Sequence, residues 1–350
     1  MLTPQPLLNA LVGDDEIAAL LSDERQMAAM LEFELALAWA QADAGLIEDD
    51  TASAIEAGID GFSPDWQALA DGLARDGVVV PALVKQLRKV IGEPHGSNVH
   101  LGATSQDVID TALILQLAEI IPVFEERLES LQASFAALSK ANGKQGLMAH
   151  TRMQQALPFT VADKIRTWVE PLERHRKALS SIRSSLLVIQ LGGPIGNRES
   201  FSGKGDAIAR ALAKHLDLGL AEPWHSGRDP LVGFASLLSL ISGSLGKFGA
   251  DIALMAQNEV QEVRLSGGGG SSAMAHKSNP VNAEVLVSLA RYNAGLVGTL
   301  HQALVHENER SGAAWTLEWL TLPQILLTTG ASLRIANLLV EQVSFKSDLS

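Results

Sequence analysis

The sequence of 350 residues contains no cysteine, and this absence limits both its chemistry and its expected surroundings. Disulfides and thiolate metal sites are excluded, because both need the sulfur of cysteine. A chain without cysteine is compatible with a reducing compartment. An export signal would need a basic segment followed by an apolar one near the N-terminus, and no such pattern is present. We therefore expect a cytoplasmic protein.

Positive charge is also scarce. The chain has 27 lysines and arginines against 40 aspartates and glutamates, which gives a formal net charge of −13 at pH 7. Such a balance argues against nucleic acid or an anionic membrane as a partner. If the substrate is an anion, the positive charge that binds it must be concentrated locally, against the sign of the whole molecule.

Aromatic residues make up only 5% of the chain, although 47% of it is hydrophobic, so the core is expected to be aliphatic. The sequence is rich in Ala and Leu and has few runs of β-branched residues, which predicts an all-α fold. Helical spacing from Met27 to Trp39 predicts a helix over residues 23–44. An unbroken apolar stripe from Leu113 to Leu138 predicts a long helix beginning near Thr111 and bent at Pro122. Further helices are predicted over residues 160–188, 231–265, 282–305 and 320–341.

These patterns divide the chain into a helical N-terminal domain of residues 1–110, a long-helix bundle of residues 111–342 and a tail of residues 343–350. Residues 231–246 carry no charge, yet they are shorter than the roughly 18–20 residues that a membrane span needs. Lys247 and Asp251 follow soon after. We therefore expect this run to pack inside a bundle, across subunits as well as within one.

Four consecutive glycines at residues 267–270 are the most informative feature that is present. Glycine costs about 1 kcal/mol against alanine in a helix, so this run predicts a hinge. A flexible linker would explain the glycines but not the polar groups that follow. A mobile loop that carries such groups is typical of an enzyme that closes over its substrate. The groups are Ser271, Ser272, His276, Lys277 and Asn279.

Two more polar segments are candidates for binding an anion. Residues 100–107 precede the long helix, where hydroxyls and free backbone N–H groups can accept an anion or simply cap the helix. Its candidate residues are His100, Thr104 and Ser105. Arg228 and Arg310 lie in polar stretches further along, and a guanidinium suits bidentate binding of a carboxylate. A surface or intersubunit ion pair is an equally good interpretation of both arginines.

Residues 270–280 resemble the signature loop of the fumarase/aspartase superfamily, whose pattern is Ser-Ser-x-Met-x-x-Lys-x-Asn-Pro. The match covers both serines, Met274, Lys277, Asn279 and Pro280, whereas Ala275 stands where the family usually has proline. The resemblance implies that Ser271 exchanges a proton with a carbon beside a carboxylate, and that Lys277 and Asn279 hold that carboxylate.

Residues 100–107 resemble the family's His-x-Gly-x-Thr-Ser-x-Asp segment, which favours substrate binding by His100, Thr104 and Ser105.

Residues 149–158 resemble the family's Thr-His-x-Gln-x-Ala-x-Pro segment, with one informative departure. Thr151, Gln154, Ala156 and Pro158 match, but Arg152 occupies the position of the proton-transferring histidine. Arginine stays protonated at any working pH and cannot be a general base. On a helix, His150 would lie about 200° round the axis from that position, so it is a poor substitute. We expect Arg152 and Gln154 to bind substrate.

The missing histidine favours a reaction that needs no base for a heteroatom. The superfamily includes such a branch, in which a carboxylate of 3-carboxy-cis,cis-muconate attacks its own double bond to form a lactone. The hypothesis is therefore intramolecular lactonisation of a small polycarboxylate. Two rivals stay open: an adenylosuccinate-type lyase that releases fumarate, and a catalytically silent helical protein that reuses the fold.

The resemblance also implies a homotetramer with active sites shared among three subunits. We expect no cofactor and no metal. Residues 192–196 lack the Gly-x-Gly-x-x-Gly spacing of a dinucleotide site. His306 and Glu307 do not begin a zinc motif, because position 310 is arginine where a second histidine is required.

Overall fold

The computed structural model describes residues 5–270, 274 and 277–346, and these residues fold mainly into helices, which confirms the prediction of an all-α fold. The helices are α1 (Pro6–Val12), α2 (Asp15–Leu20), α3 (Asp23–Asp43), α4 (Asp49–Asp60), α5 (Trp66–Asp76), α6 (Val80–Ile91), α7 (Ser105–Asn142), α8 (Val161–Leu186), α9 (Gly205–His215), α10 (Asp229–Met255), α11 (Val281–Gln302) and α12 (Gly312–Gln342). The strands are β1 (Gly146–Thr151), β2 (Gln154–Thr160), β3 (Val263–Leu265) and β4 (Val343–Phe345), which form two antiparallel pairs, β1 with β2 and β3 with β4.

Short helices in the first hundred residues pack into a core of their own. The helix predicted over residues 23–44 is α3, and it begins where the Ser22 hydroxyl accepts a hydrogen bond from the Arg25 N–H at 3.2 Å. Buried side chains of α3, α4, α5 and α6, such as Phe33 and Leu83, join others from α9 and the start of α7. This N-terminal core holds the loop that carries His100 against the long helices.

Five long helices, α7, α8, α10, α11 and α12, build the second core, and α10 contacts α8, α11 and α12. Phe135, Trp168 and Phe248 join α7, α8 and α10 through ring centroids 5.0–5.8 Å apart. A Cβ at Gly249 would lie 2.5 Å from the carbonyl oxygen of Ala283, so only glycine permits the close approach of α10 to α11 there. The small residues of α10 therefore serve helix packing, as the bundle prediction requires.

Within the described part of the chain, α10 is the one helix long and apolar enough to cross a membrane, by length and composition alone. In its most apolar stretch, 61% of the residues are buried inside the protein. The helix therefore serves as a core element of the bundle.

The long helices run between two ends of the bundle, which we name the Arg228 end and the Lys277 end. At the Arg228 end, Arg228 stands just before α10 and bonds to Asp110 of α7 and Glu318 of α12, so these three helices start together. At the Lys277 end, Asn282 near the start of α11 donates to Gln342 at the close of α12 at 3.1 Å. The 27 residues of α10 extend about 40 Å at 1.5 Å per residue.

Three predicted boundaries were wrong. A 35-residue helix over 231–265 was expected, but α10 ends at Met255 and irregular chain leads into β3. The last helix begins earlier than residue 320, because the Ser311 hydroxyl accepts from the Ala314 N–H at 3.2 Å and starts α12. Residues 343–345 were predicted as tail, whereas they form β4, which pairs with β3.

Residues 146–160 form a β-hairpin that the sequence analysis missed. Thr151 pairs with Gln154, and the turn residues Arg152 and Met153 have φ values of 50° and 64°. This left-handed pair is the geometry of a two-residue type I′ turn. The comparison of His150 with the missing histidine on a helix was therefore wrong, because the segment is a strand and His150 faces Gln155 across the ladder.

Candidate active site

The Arg228 end gathers five of the predicted site residues around the start of α7. Gln106 connects Arg310 to the start of α7, since its side-chain amide accepts from the Arg310 Nε at 2.8 Å and donates to the His225 carbonyl at 2.8 Å. The five residues are His100, Thr104, Ser105, Arg228 and Arg310. Thr104 and Ser105 are half-buried, and the guanidinium of Arg310 is exposed, so these groups remain accessible to a ligand.

Asp107 is the buried anchor beneath these groups. Its carboxylate accepts hydrogen bonds from the Thr104 N–H at 3.0 Å and from the N–H groups of Gly192 and Gly193 at 2.8 and 2.9 Å. The same carboxylate lies 2.8 Å from Nε2 of His225. Thr104 is thus the N-cap of α7, as the simpler interpretation of the segment proposed, and Asp107 fixes its backbone to the loop of residues 192–193.

His100 is bound to a carboxylate that the sequence analysis did not identify. Its Nδ1 lies 2.7 Å from Oε1 of Glu34, which projects from α3. Burial alone would lower the pKa of the His100 imidazole, but the charge of Glu34 and the hydrogen bond to it raise that pKa above its ordinary value. His100 is therefore a candidate for binding an anion, since its surroundings favour the protonated imidazole.

Arg228 is not the open carboxylate clamp that was predicted. Its side chain is fully buried, and it donates to Asp110 at 2.6 and 3.0 Å and to Glu318 at 2.9 Å. Its guanidinium also lies 4.8 Å from the ring of Trp224. Burial alone would lower the pKa of Arg228, but the two carboxylates raise it above its usual value. The expected alternative, a surface or intersubunit ion pair, is also wrong, because the ion pairs of Arg228 are buried within one chain. Arg228 therefore supports the site from below.

His306 was dismissed as a zinc ligand and given no other role in the sequence analysis, yet it lies beside this ion-pair cluster. Both of its ring nitrogens are buried and lack a hydrogen-bond partner among the described residues. Burial, aided by the charge of Arg228, lowers the pKa of the imidazole, so His306 is neutral at pH 7. Only the fold could reveal it, because Arg228 is 78 residues away in the chain.

The Lys277 end carries the other predicted residues that the structure describes. Arg152 occupies the exposed turn of the β1–β2 hairpin, and Gln154 begins β2. Glu262, also missed, is buried nearby and accepts a hydrogen bond from the backbone of Met148 in β1. Burial raises the pKa of its carboxyl group. No sequence motif marked Glu262 before the structure placed it there.

The glycine loop begins and ends in a short antiparallel bridge at this end. Gly269 N–H donates to the Asn279 carbonyl at 2.9 Å, and Asn279 N–H donates to the Gly269 carbonyl at 2.8 Å. A Cβ at Gly268 would overlap the Ser278 hydroxyl, and one at Gly269 would lie 2.6 Å from a methyl of Val281. These two glycines therefore permit close approach at the base of the loop, a role the hinge prediction did not include.

Lys277 is exposed and Asn279 half-buried beside a cavity of about 230 Å³, which residues 267–269 and 279–282 line with Leu265, Leu339 and Gln342. Ser271, Ser272 and His276 lie outside the described residues, so their roles stay predictions. Within residues 5–270, 274 and 277–346, no three side chains of His, Cys, Asp or Glu are arranged to hold a metal ion.

Comparisons with known proteins agree with this architecture. A family model described as lyase matches residues 12–294. The 3-carboxy-cis,cis-muconate cycloisomerase of Pseudomonas putida is 41% identical over 92% of this chain and 78% of that protein. The N-acetyl-S-(2-succino)cysteine lyase of Dickeya dadantii is 31% identical over 93% of this chain and 72% of that protein.

Among solved structures, the 3-carboxy-cis,cis-muconate lactonizing enzyme from Pseudomonas putida superposes with a TM-score of 0.92 at 40% identity. The match covers 98% of this chain and 78% of that one. The family model matches well over half of the chain, and the identity to the Pseudomonas putida cycloisomerase is 41%. The chain therefore belongs to the lyase family of the fumarase/aspartase superfamily.

Proposed function

We propose that this chain is a 3-carboxy-cis,cis-muconate cycloisomerase that interconverts the muconate and 4-carboxymuconolactone. The observation that carries the proposal is the difference in identity at nearly equal coverage of this chain. The chain is 41% identical to the cycloisomerase of Pseudomonas putida but 31% identical to the succinocysteine lyase of Dickeya dadantii. The reaction belongs to the protocatechuate branch of the β-ketoadipate pathway, and we expect it to take place in the cytoplasm.

The chemistry agrees with arginine at position 152. A carboxylate oxygen of the substrate forms a C–O bond to one carbon of a conjugated double bond, and the π pair of that bond moves to the neighbouring carbon beside another carboxylate. A proton then adds to that carbon. The nucleophile is ionised at neutral pH and is already attached to the substrate, so no base is needed to activate it.

The residues of the Lys277 end suit the chemistry at the carbon that receives the proton. Lys277 and Asn279 can stabilise the negative charge that develops on the adjacent carboxylate. Ser271 is proposed to deliver the proton, and Arg152 to bind a carboxylate of the substrate through its guanidinium fork. His100, Thr104, Ser105 and Arg310, at the Arg228 end, are proposed to bind the other carboxylates.

One chain cannot bring these groups onto one substrate, because the length of α10 separates the two ends by about 40 Å. We therefore propose a homotetramer in which each active site takes the two groups from different subunits. Exposed apolar side chains support this assembly, since Met153 and Leu157 of the hairpin are 76% and 72% exposed and Leu240 of α10 is 61% exposed.

A direct assay separates the proposal from its rivals. Purified protein is mixed with 3-carboxy-cis,cis-muconate, and the ultraviolet absorbance of the conjugated diene is followed. We expect the absorbance to fall as the lactone forms. Release of fumarate from a succinyl substrate such as adenylosuccinate, with no loss of the muconate, would instead identify a lyase. No reaction with either substrate would favour a catalytically silent protein.

A further inference from the structure

Glu34 and His100 form the most enclosed carboxylate–histidine contact that the site does not yet explain. Glu34 lies in the middle of α3, and its side chain is 1% exposed, whereas that of His100 is 15% exposed. Oε1 of Glu34 lies 2.7 Å from the His100 Nδ1, and Oε2 has no hydrogen-bond partner among the described residues. A buried carboxylate with this single strong partner depends on that partner for its charge balance.

The backbone holds His100 in place for this contact. His100 has a φ of 64°, a left-handed conformation that is uncommon for a residue with a side chain. On one side of it, the Arg88 guanidinium donates to the Val99 carbonyl at 2.9 Å, and on the other the Gln41 amide donates to the Leu101 carbonyl at 2.7 Å. The strained residue is therefore clamped by α3 and α6, and such strain is often found at functional sites.

The charges around the ring come from three helices. Burial of the ring opposes the protonated imidazole, Glu34 of α3 and Asp107 of α7 favour it, and Arg88 of α6 opposes it. The two carboxylates prevail, and the pKa of His100 is raised above its ordinary value. In the imidazolium both nitrogens are donors, so one N–H is directed to Glu34 and the Nε2–H is left for another acceptor.

We propose that Glu34 is a positioning residue, which orients His100 through Nδ1 and keeps it positively charged so that its Nε2–H binds a carboxylate of the substrate. This inference rests on the proposed function for the identity of the substrate. It supplies the local positive charge that a protein of net charge −13 needs in order to bind a polycarboxylate.

The first test follows the titration of His100 by NMR, in protein labelled with ¹³C at the histidine Cε1. The spectrum of His100→Gln identifies the His100 signal among the nine histidines. We expect the wild-type His100 to titrate at a higher pH than an ordinary histidine and the Glu34→Gln variant to titrate at a lower pH than wild type. Asp43→Asn is the matched control, since Asp43 pairs with His215 at 2.9 Å on the exposed surface. It should leave the His100 signal unchanged.

The second test measures the pH profile of kcat/KM for lactonisation. As the pH rises, we expect Glu34→Gln to lose activity at a lower pH than wild type, because its His100 loses the proton earlier. Near pH 8 its KM should be about tenfold higher, the loss typical of one hydrogen bond to a charged group. Asp43→Asn should follow the wild-type profile. Equal profiles for Glu34→Gln and wild type would overturn the proposal, as would a wild-type His100 that titrates at or below the ordinary pH.

The two proposals fail in distinguishable ways. A wild-type protein inactive on 3-carboxy-cis,cis-muconate would overturn the proposed function, whereas the NMR titration would still decide whether Glu34 sets the charge of His100. Propane-1,2,3-tricarboxylate then serves as the probe of anion binding. A shift of the His100 signal on its addition, weaker in Glu34→Gln, supports the proposal, and no shift in wild type contradicts it. If Glu34→Gln does not fold, the wild-type titration and the tricarboxylate shift decide alone.

Discussion

Arg228 and Arg310 resemble each other in the sequence, where each stands beside an acidic residue, but their surroundings make them different groups. Arg228 is enclosed by Asp110 and Glu318, which are 118 and 90 residues distant in the chain. Among the described residues, Arg310 donates to the Gln106 side chain and to the Pro194 carbonyl, and it stays exposed. The sequence predicted that both arginines were binding groups or ion pairs. It could not choose between these, because the choice depends on partners brought together by folding.

The buried cluster predicts a large loss of stability when its cation is removed. Arg228→Met leaves Asp110 and Glu318 buried without a counter-charge, so we expect a loss of about 3–5 kcal/mol in the free energy of unfolding. Urea denaturation followed by circular dichroism measures it. Arg75→Met, which removes an exposed ion pair with Asp76, is the control and should change the midpoint little. A loss no larger than that of the control would contradict the structural role of Arg228.

At position 152 the account predicts binding without proton transfer. Arg152→Lys keeps the charge but loses the guanidinium fork, so KM should rise more than kcat falls. Steady-state kinetics on the muconate measures both constants. An unchanged KM with a lost kcat would instead give Arg152 a part in the chemical step.

Ser271 lies outside the described residues, and its role as proton donor stays a prediction from the family resemblance. A serine hydroxyl is normally far too weak an acid for this work, and the charge of Lys277 would have to lower its pKa once water is excluded. Ser271→Ala should lower kcat by about 10²–10⁴-fold, the usual contribution of general acid–base catalysis, with little change in substrate affinity. Ser272→Ala should have a much smaller effect. Equal losses in the two variants would refute the assignment.

Among the elements, the glycine loop and the hairpin show what spacing alone predicts and what it misses. Four glycines predicted a hinge, but the bridge between Gly269 and Asn279 depends on an approach of two segments that no local pattern encodes. The hairpin was missed because type I′ turns usually carry Asn-Gly or Asp-Gly, whereas this one has Arg152 and Met153. The helices α3 and α7 were predicted well, since their apolar stripes repeat every three or four residues.

The base of the loop gives a prediction with its own control. Gly268→Ala should overlap the Ser278 hydroxyl and disturb the bridge that holds Asn279, so kcat/KM should fall while the helical circular dichroism stays unchanged. A Cβ at Gly270 meets open space, so Gly270→Ala should be milder. If Gly270→Ala is the more damaging of the two, flexibility rather than close approach is what the glycines provide.

For the whole molecule, the separation of the Arg228 end from the Lys277 end predicts complementation between inactive subunits. Lys277→Ala and Arg310→Ala both change exposed side chains, and each should be inactive alone. Tetramers assembled from both should regain activity, because about a quarter of their sites then combine two intact groups. A mixture of Lys277→Ala with Asn279→Ala, two changes at the same end, should regain none. Activity in a stable monomer at micromolar concentration would refute the shared site.

The division of the site between two ends was implied by the family resemblance and not by any pattern in this chain. Composition and apolar spacing are enough to predict a bundle of long helices. They do not reveal that α7, α10 and α12 start together, because this alignment is set by Arg228, Asp110 and Glu318. The separation of the two ends, on which the proposed assembly rests, therefore became visible only in the folded chain.

The central claim is that this protein forms a C–O bond within one substrate and adds a proton to the neighbouring carbon. The most direct measurement is proton NMR of the products formed from 3-carboxy-cis,cis-muconate in D₂O. We expect a single lactone and no fumarate. The lactone should carry one deuterium, on the carbon that accepts the proton, which lies between the new C–O carbon and a carboxylate. Unchanged muconate, or a lactone without deuterium at that carbon, would contradict it.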